Sequence, residues 1–184
     1  MRLYVMRHGQ TNYNLEGLCN GDPQRDVHLT ETGIGQAQQA ARELQQEQLD
    51  LILASELPRT RQTAEVINQY HNVKIQTHPG INDIRSGFED KPVTDYQKAI
   101  AHDRLNSKFN GGESLLEHKQ RVLDFLGWLQ KQDLSSVLIV AHEETLRVID
   151  GCFRGLPDET MIELHFKNCE ILRYTMPCAS INGT

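Results

Sequence analysis

The segment LYVMRHGQT, residues 3–11, joins a short apolar run directly to a row of polar side chains. Residues 3–6 have the length and apolar character of a buried β-strand. Arg7 and His8 follow without a break, so a guanidinium and an imidazole are predicted at the carboxyl end of that strand. In open α/β folds, ligands bind beyond the carboxyl ends of the strands. A single histidine here can equally belong to a polar turn, so the interpretation of His8 depends on what else reaches this edge.

Apolar runs and helical periodicity alternate along the whole chain. Runs typical of strands occupy residues 3–6, 51–54, 73–77, 137–141 and 170–175. Amphipathic segments typical of helices occupy residues 29–48, 58–70, 94–105, 115–132 and 145–153. Residues 12–28 and 81–92 are predicted to be loops, and residues 177–184 a frayed tail or an ordered crossing segment. This alternation predicts an α/β fold, a three-layer α/β/α sandwich around a mostly parallel sheet, as a single domain over residues 1–184.

Composition and charge narrow the class of protein. The net charge is −6 and no block of lysine and arginine occurs, so no nucleic-acid partner is expected. No apolar run reaches the length of a membrane span and no secretory signal pattern is visible, so we expect no membrane association and a cytoplasmic location. The cysteines, Cys178 included, form no C-x-x-C pair and are interpreted as reduced packing or surface thiols. The histidines lack H-x-x-x-H spacing, so neither a metal nor a cofactor is predicted.

Two further strand ends carry candidate ligand-binding residues. Arg59 follows the strand at 51–54 and lies at the start of the helix that Pro58 introduces, where backbone amides favour an anion. His142 follows directly on the strand at 137–141. Parallel strands align their carboxyl ends, so Arg7, His8, Arg59 and His142 are expected to meet. Arginines disfavour a protonated imidazole and bind phosphoryl oxygens, so this set predicts phosphoryl transfer to histidine.

Six segments, taken together, resemble the histidine phosphatase superfamily in its cofactor-dependent phosphoglycerate mutase-like branch. They are residues 7–11 with Asn14; 20–21; 29–33 with 36–37; 55–57 with Arg59 and 62–64; 112–114; and 141–142 with Arg147. The resemblance covers almost the whole chain. A lone Arg-His-Gly is weak evidence, but several motifs in order, each at a predicted strand end or helix start, are specific.

The resemblance implies a role for each matching residue. His8 is the expected nucleophile and becomes phosphorylated, and the phosphate pocket is completed by Arg7, Arg59 and His142. Expected substrate contacts are Asn14, Gln10, Thr11 and Gly21. Residues 81–87, INDIRSG, fit the segment that carries the family's proton donor, so Asp83 is expected to protonate the leaving oxygen and then to activate water.

The chain departs from the family pattern at two places. Phe88-Glu89-Asp90 stands where Trp-Glu-Gly is common, which leaves Glu89 as a second candidate for the acid. Glu143 and Glu144 stand where small residues usually follow the histidine. Two carboxylates would repel a phosphate unless they turn away or pair with arginines. They also suit the first turn of a helix, where negative charge is favourable, and this second interpretation is preferred.

Residues 88–111 decide between a phosphatase and a mutase. Mutases of this family carry a longer insertion there, with paired arginines that hold a second anionic group. This chain has Lys91, Lys98, Arg104 and Lys108, with no adjacent pair. We therefore expect a metal-independent phosphomonoesterase that acts on small phosphorylated metabolites. The alternatives are a cofactor-dependent phosphoglycerate mutase and a non-catalytic phosphate-binding module.

Overall fold

A five-stranded sheet forms the centre of the computed structural model, which describes residues 1–177. The strands within these residues are β1 (Arg2–Arg7), β2 (Leu51–Ala54), β3 (Lys74–Thr77), β4 (Ser136–Ala141) and β5 (Ile171–Thr175). Their order is β3-β2-β4-β1-β5. The first four run parallel, and β5 pairs antiparallel with β1 at the edge. The mostly parallel sheet and its edge strand are confirmed.

Helices connect the strands and cover the sheet. In the described part of the chain they are α1 (Asn12–Glu16), α2 (Glu31–Leu44), α3 (Pro58–Asn68), α4 (Val93–Ile100), α5 (Leu115–Leu129), α6 (Glu143–Arg154) and α7 (Asp158–Met161). A 3₁₀ turn at Pro79–Ile81 follows β3. No helix among residues 1–177 combines the length and apolar character needed to cross a membrane.

Alternation along the strands creates a hydrophobic core on each face of the sheet. On one face, Val5 and Ile139 belong to a cluster that includes Phe125 of α5 and Leu146 of α6. On the other face, Met6 and Val140 belong to a cluster that α2 and α3 complete with Ala41 and Ile67. Strands buried on both faces read as continuous apolar runs, as residues 137–141 do. The predicted α/β/α layers are therefore confirmed.

The structure corrects three details of the sequence-based assignment. Residues 12–28 were expected to be a loop, but they contain α1, which Thr11 and Asn14 start by a reciprocal capping box with two hydrogen bonds of 3.1 Å. Helix α6 begins at Glu143 rather than at residue 145, directly after His142. Helix α7 has four residues, which is too short for a periodic signal. The predicted tail beyond residue 177 lies outside the described residues, as does Cys178.

A close contact between two backbones fixes the loop that follows β1. A Cβ atom added to Gly33, in the first turn of α2, would lie 2.1 Å from the carbonyl oxygen of Gln10. A Cβ atom on Gly9 would lie 2.5 Å from the carbonyl oxygen of Gly33. Glycine at both positions permits this approach because it has no side chain. The Gly9 N–H also donates to Oγ1 of Thr63 over 3.1 Å, which ties the loop to α3.

Candidate active site

Adjacent strands bring the predicted residues to one edge of the sheet. β4 lies between β1 and β2, with Arg7 opposite Ala141 and Ala54 opposite Val140. The next residues along the chain therefore emerge side by side. The rings of His8 and His142 lie 5.3 Å apart between their centroids. Arg59, in the first turn of α3, reaches into the space beside them.

The hydrogen bonds of His8 define its tautomer. Nδ1 lies 2.7 Å from the carbonyl oxygen of Gly9, which can only accept, so Nδ1 carries the hydrogen. Arg59 donates from Nε to Nε2 of His8 over 3.1 Å, so Nε2 presents its lone pair. Burial, and then the positive charge of Arg59, hold the pKa of His8 well below its ordinary value of 6.5. His8 is thus a neutral imidazole whose Nε2 is available as a nucleophile.

Arg59 links His8 to the loop after the 3₁₀ turn. Its Nη2 donates to Oδ2 of Asp83 over 2.7 Å and to the carbonyl oxygen of Asn20 over 3.0 Å. His142 completes the group, with Nε2 lying 2.8 Å from Oγ of Ser55 and Nδ1 lying 3.5 Å from Oδ2 of Asp83. Burial, and then Arg59, also lower the pKa of His142 well below 6.5.

Four buried nitrogens around His8 have no hydrogen-bond partner among residues 1–177. They are Nε of Arg7, Nη1 of Arg59, Nδ1 of His142 and Nδ2 of Asn20. Buried polar groups in native proteins are nearly always paired, and an unpaired one costs about 1–3 kcal/mol. Several unpaired nitrogens, two of them on arginines, match the acceptor oxygens of an oxyanion such as a phosphoryl group.

The two candidate acids occupy different places. Asp83 lines the same cavity as His8, and its carboxylate is held by Arg59 on one oxygen and by the Ile84 N–H on the other, over 2.9 Å. Glu89 instead accepts from the Gly21 N–H over 2.8 Å, and it is not among the residues that line the cavity in the described chain. Of these two candidates, Asp83 shares the cavity and a contact with Arg59 with His8.

The predicted substrate contacts divide into two groups. Thr11 and Asn14 line the cavity at the start of α1. Gln10 and Gly21 are absent from its described lining. The Gln10 side chain accepts from Oγ1 of Thr30 over 2.9 Å, and the Gly21 N–H is occupied by Glu89. Gln10 and Gly21 thus form hydrogen bonds within the loops around the cavity.

An arginine that sequence analysis did not identify holds the loop that carries Asp83. Arg121, on α5, donates from Nη1 to the carbonyl oxygens of Pro79, Gly80 and Asn82 over 3.0, 3.2 and 3.1 Å. Its Nη2 donates to the Asp83 carbonyl oxygen over 3.3 Å. Arg121 precedes Val122 of the apolar stripe of α5, and no local pattern in the sequence indicates its role.

Glu113, part of the Gly112-Glu113-Ser114 motif, supports the same loop. It pairs with Arg121 at 2.5 Å and accepts from the Arg85 N–H over 3.1 Å. Burial opposes its ionisation, but hydrogen bonds from His118 and Arg121 outweigh burial and lower the pKa of Glu113 to about 2. Glu113 is therefore an ionised anchor that fixes Arg121 against the loop.

Both interpretations of Glu143 and Glu144 hold in the structure. The two residues form the first turn of α6, and both pair with arginines. Glu143 contacts Nη1 of Arg7 at 2.6 Å and Nη2 of Arg147 at 3.2 Å. Glu144 contacts Nη1 of Arg147 at 3.0 Å. Burial raises the pKa of Glu144, and Arg147 only partly offsets this effect.

These residues surround a cavity of about 480 Å³. His8, Arg59 and Asp83 form its inner end, and its outer walls come largely from residues 12–28 and from α4. Of the basic residues in 88–111, Arg104 is the one that lines the cavity within the described chain. Among residues 1–177, no group of three or more His, Cys, Asp or Glu side chains is arranged to hold a metal ion.

Comparison with known proteins finds matches over nearly all of the described chain. The family model of the histidine phosphatase superfamily (branch 1) matches residues 3–177. The probable phosphoglycerate mutase GpmB of Erwinia tasmaniensis is 30% identical over 182 aligned residues, which cover 94% of this chain and 84% of that protein.

Solved structures share the fold. The alpha-ribazole phosphatase from Shigella flexneri superimposes with a TM-score of 0.86 and 27% identity, over 96% of this chain and 91% of that one. A phosphoserine phosphatase from Entamoeba histolytica, solved in complex with 3-phosphoglyceric acid, superimposes with a TM-score of 0.78 and 21% identity, over 95% of this chain and 90% of that one.

Proposed function

Because this chain belongs to the histidine phosphatase superfamily (branch 1), we propose that it is a phosphomonoesterase that hydrolyses small phosphorylated metabolites through a phosphohistidine on His8. The observation that carries the proposal is the arrangement around His8. A neutral Nε2 lies among buried, unpaired nitrogens of Arg7, Arg59, His142 and Asn20. A bound phosphoryl group would supply the acceptors that these nitrogens lack.

In the first half-reaction, Nε2 of His8 attacks phosphorus and the bond between phosphorus and the ester oxygen breaks. The guanidiniums of Arg7 and Arg59 and the imidazole of His142 stabilise the charge that spreads over the phosphoryl oxygens. Asp83 gives its proton to the departing alkoxide, which leaves as an alcohol.

In the second half-reaction, the same carboxylate takes a proton from water while the water oxygen attacks phosphorus. The bond between phosphorus and Nε2 breaks, and inorganic phosphate leaves. The proton that Asp83 gave to the leaving group is thereby restored. One carboxyl therefore serves as acid and then as base, and the contacts of Asp83 with Arg59 and His142 support this assignment.

A cofactor-dependent phosphoglycerate mutase is the second candidate, because of the name given to the Erwinia tasmaniensis relative. A mutase must bind a second anionic group of its substrate. The basic residue of 88–111 that lines the described cavity, Arg104, already pairs with Glu163 and donates to the Ile162 carbonyl oxygen. This favours water over a second substrate as the acceptor of the phosphoryl group. The likeness to the Shigella flexneri phosphatase supports the same choice.

The experiment is a rapid-quench reaction with ³²P-labelled substrate, with p-nitrophenyl phosphate as the general assay, run with and without a chelator. We expect turnover and an acid-labile, base-stable phosphoenzyme that is absent from His8→Ala. Labelling that survives in His8→Ala would refute the covalent step. Absence of turnover on p-nitrophenyl phosphate and on a panel of metabolites would favour a phosphate-binding module. Efficient interconversion of phosphoglycerates that depends on bisphosphoglycerate would favour the mutase.

A further inference from the structure

The cations of the cavity fall into two groups that differ in their pairing. At the inner end, Nε of Arg7 and Nη1 of Arg59 are buried without a partner among the described residues. These are the donors assigned to the phosphoryl group. Both arginines also pair with a carboxylate, Arg7 with Glu143 and Arg59 with Asp83. Further out, Arg104 and Arg147 line the cavity, and among the described residues neither has a buried nitrogen without a partner.

The pairing of the outer arginines is extensive. Arg147 donates from Nε to the Leu164 carbonyl oxygen over 2.7 Å and uses Nη1 and Nη2 for Glu144 and Glu143. Arg104 pairs with Glu163 and donates to the Ile162 carbonyl oxygen over 3.3 Å. Carboxylates therefore already neutralise the outer arginines, which weakens the attraction of these arginines for a second anion on a substrate.

Glu144 makes the outer cavity unfavourable to such an anion. One of its oxygens contacts Arg147 at 3.0 Å, and within residues 1–177 the other oxygen has no hydrogen-bond partner. Its side chain lines the main cavity and a recess of about 30 Å³ that adjoins it. Arg147 is shared with Glu143, which also contacts Arg7 at 2.6 Å, so Arg147 is the arginine that contacts Glu144 among the described residues. Burial raises the pKa of Glu144, and Arg147 only partly offsets this effect.

Apolar side chains form a large part of the remaining wall, which also includes the polar side chains of Tyr13, Ser86, Gln97 and His165. The apolar residues are Leu18, Val27, Ile84, Val93, Tyr96 and Ile100. The first two come from the segment after α1, and the last three from α4. Apolar walls with a few placed polar groups are typical of sites that take an uncharged organic ligand.

We infer that the outer cavity selects phosphomonoesters with an uncharged, largely apolar leaving group, and that Glu144 discriminates against leaving groups that carry a second anion. This inference rests on the proposed phosphatase activity and deepens it. Phosphoglycerate-type substrates belong to the disfavoured class. The discrimination acts through Coulombic repulsion in a partly enclosed site, where screening by water is reduced.

The test compares benzyl phosphate with 4-carboxybenzyl phosphate, which differ by one remote carboxylate. In the wild type, we expect kcat/KM to be about tenfold or more lower for 4-carboxybenzyl phosphate than for benzyl phosphate. Glu144→Gln keeps the shape of the side chain and removes its charge. It should reduce the ratio of the two kcat/KM values several-fold, mainly by raising kcat/KM for 4-carboxybenzyl phosphate. Glu159→Gln, an exposed position on α7, is the matched control and should leave the ratio unchanged.

The outcomes separate the two proposals, with p-nitrophenyl phosphate as the reference substrate. If the wild type hydrolyses 4-carboxybenzyl phosphate as fast as benzyl phosphate or faster, the inference is overturned and the phosphatase proposal stays intact. Hydrolysis of p-nitrophenyl phosphate without measurable hydrolysis of benzyl phosphate would have the same two consequences. A wild-type preference that persists in folded Glu144→Gln would overturn the role of Glu144. No turnover on the reference substrate would overturn the phosphatase proposal, and the inference with it.

Discussion

Arg59 donates from its Nε to Nε2 of His8 over 3.1 Å, and both side chains are more than nine-tenths buried. The same contact does two things. It holds the lone pair of Nε2 in a defined direction, and it places a fixed positive charge beside an imidazole that must stay neutral to attack phosphorus. A phosphoryl group that enters the site would take over this donor, because its oxygens are stronger acceptors than the imidazole.

The titration of His8 follows from this contact. Burial and Arg59 lower the pKa of His8, so the imidazole should remain neutral well below pH 6.5 and bind a proton only at more acidic pH. In ¹⁵N-resolved NMR spectra, we expect the His8 ring resonances to stay constant as the pH falls through 6.5, the ordinary pKa of histidine. His8→Ala identifies the signals by their loss. A titration with its midpoint near 6.5 would contradict the assigned tautomer and its environment.

Asp83 and Glu89 can be distinguished by how the loss of activity depends on the leaving group. Asp83→Asn removes the proposed proton donor, so turnover on an alkyl phosphate should fall by about 100-fold or more. The loss on p-nitrophenyl phosphate should be much smaller, since nitrophenolate leaves without a proton. Glu89→Gln is the matched control, because its amide oxygen can still accept from the Gly21 N–H. If Asp83→Asn lowers turnover on both substrates by the same factor, Asp83 is not the acid.

Arg121 should act on catalysis through the position of Asp83. Its guanidinium joins four carbonyl oxygens of residues 79–83 to Glu113, and a lysine ammonium cannot reach all of them at once. Arg121→Lys should therefore show the leaving-group dependence of Asp83→Asn in weaker form. The double variant should lose little more than Asp83→Asn alone, because both changes affect one function.

A purely structural role for Arg121 predicts a different result. Arg121→Lys would then reduce turnover on alkyl and nitrophenyl phosphates by the same factor, and its effect would add in full to that of Asp83→Asn. Steady-state kinetics of the four proteins on both substrates, with circular dichroism to verify folding, decide between these results.

The site residues that lie directly at the end of a predicted strand or at the start of a predicted helix could be identified from the sequence. Arg7, His8 and His142 each adjoin the end of an apolar run, and Arg59 lies just past Pro58 at a helix start. Parallel strands bring such positions together without any knowledge of side-chain contacts. The start of α2 at Thr30 was equally visible, because a threonine before a helical pattern is a common N-cap.

The parts that depend on contacts between distant segments could not be predicted. Arg121 meets residues 79–83 about forty positions earlier, and no local pattern indicates four carbonyl acceptors. The short α1 was missed because Asn14 replaces the more familiar Glu or Gln in the capping box with Thr11. Gln10 and Gly21 fit a motif, but their polar groups serve Thr30 and Glu89 instead.

Two glycines of α2 test how the loop after β1 is held. A Cβ atom on Gly33 would lie 2.1 Å from the Gln10 carbonyl oxygen, and neither backbone can move without shifting the loop that follows His8. Gly33→Ala should therefore destabilise the protein and also lower kcat. Gly35 lies two residues further along the same helix, and a Cβ atom there would meet no atom within 4 Å. Gly35→Ala should stabilise the helix by about 0.5–1 kcal/mol and leave kcat unchanged.

Urea unfolding and steady-state kinetics of both variants measure these effects side by side. The pair separates helix propensity from the backbone contact, since both substitutions add the same methyl group to the same helix. Gly33→Ala with wild-type stability and kcat would mean that α2 does not constrain the loop at His8. Loss of stability with unchanged kcat would mean that the contact supports the fold but not the position of the nucleophile.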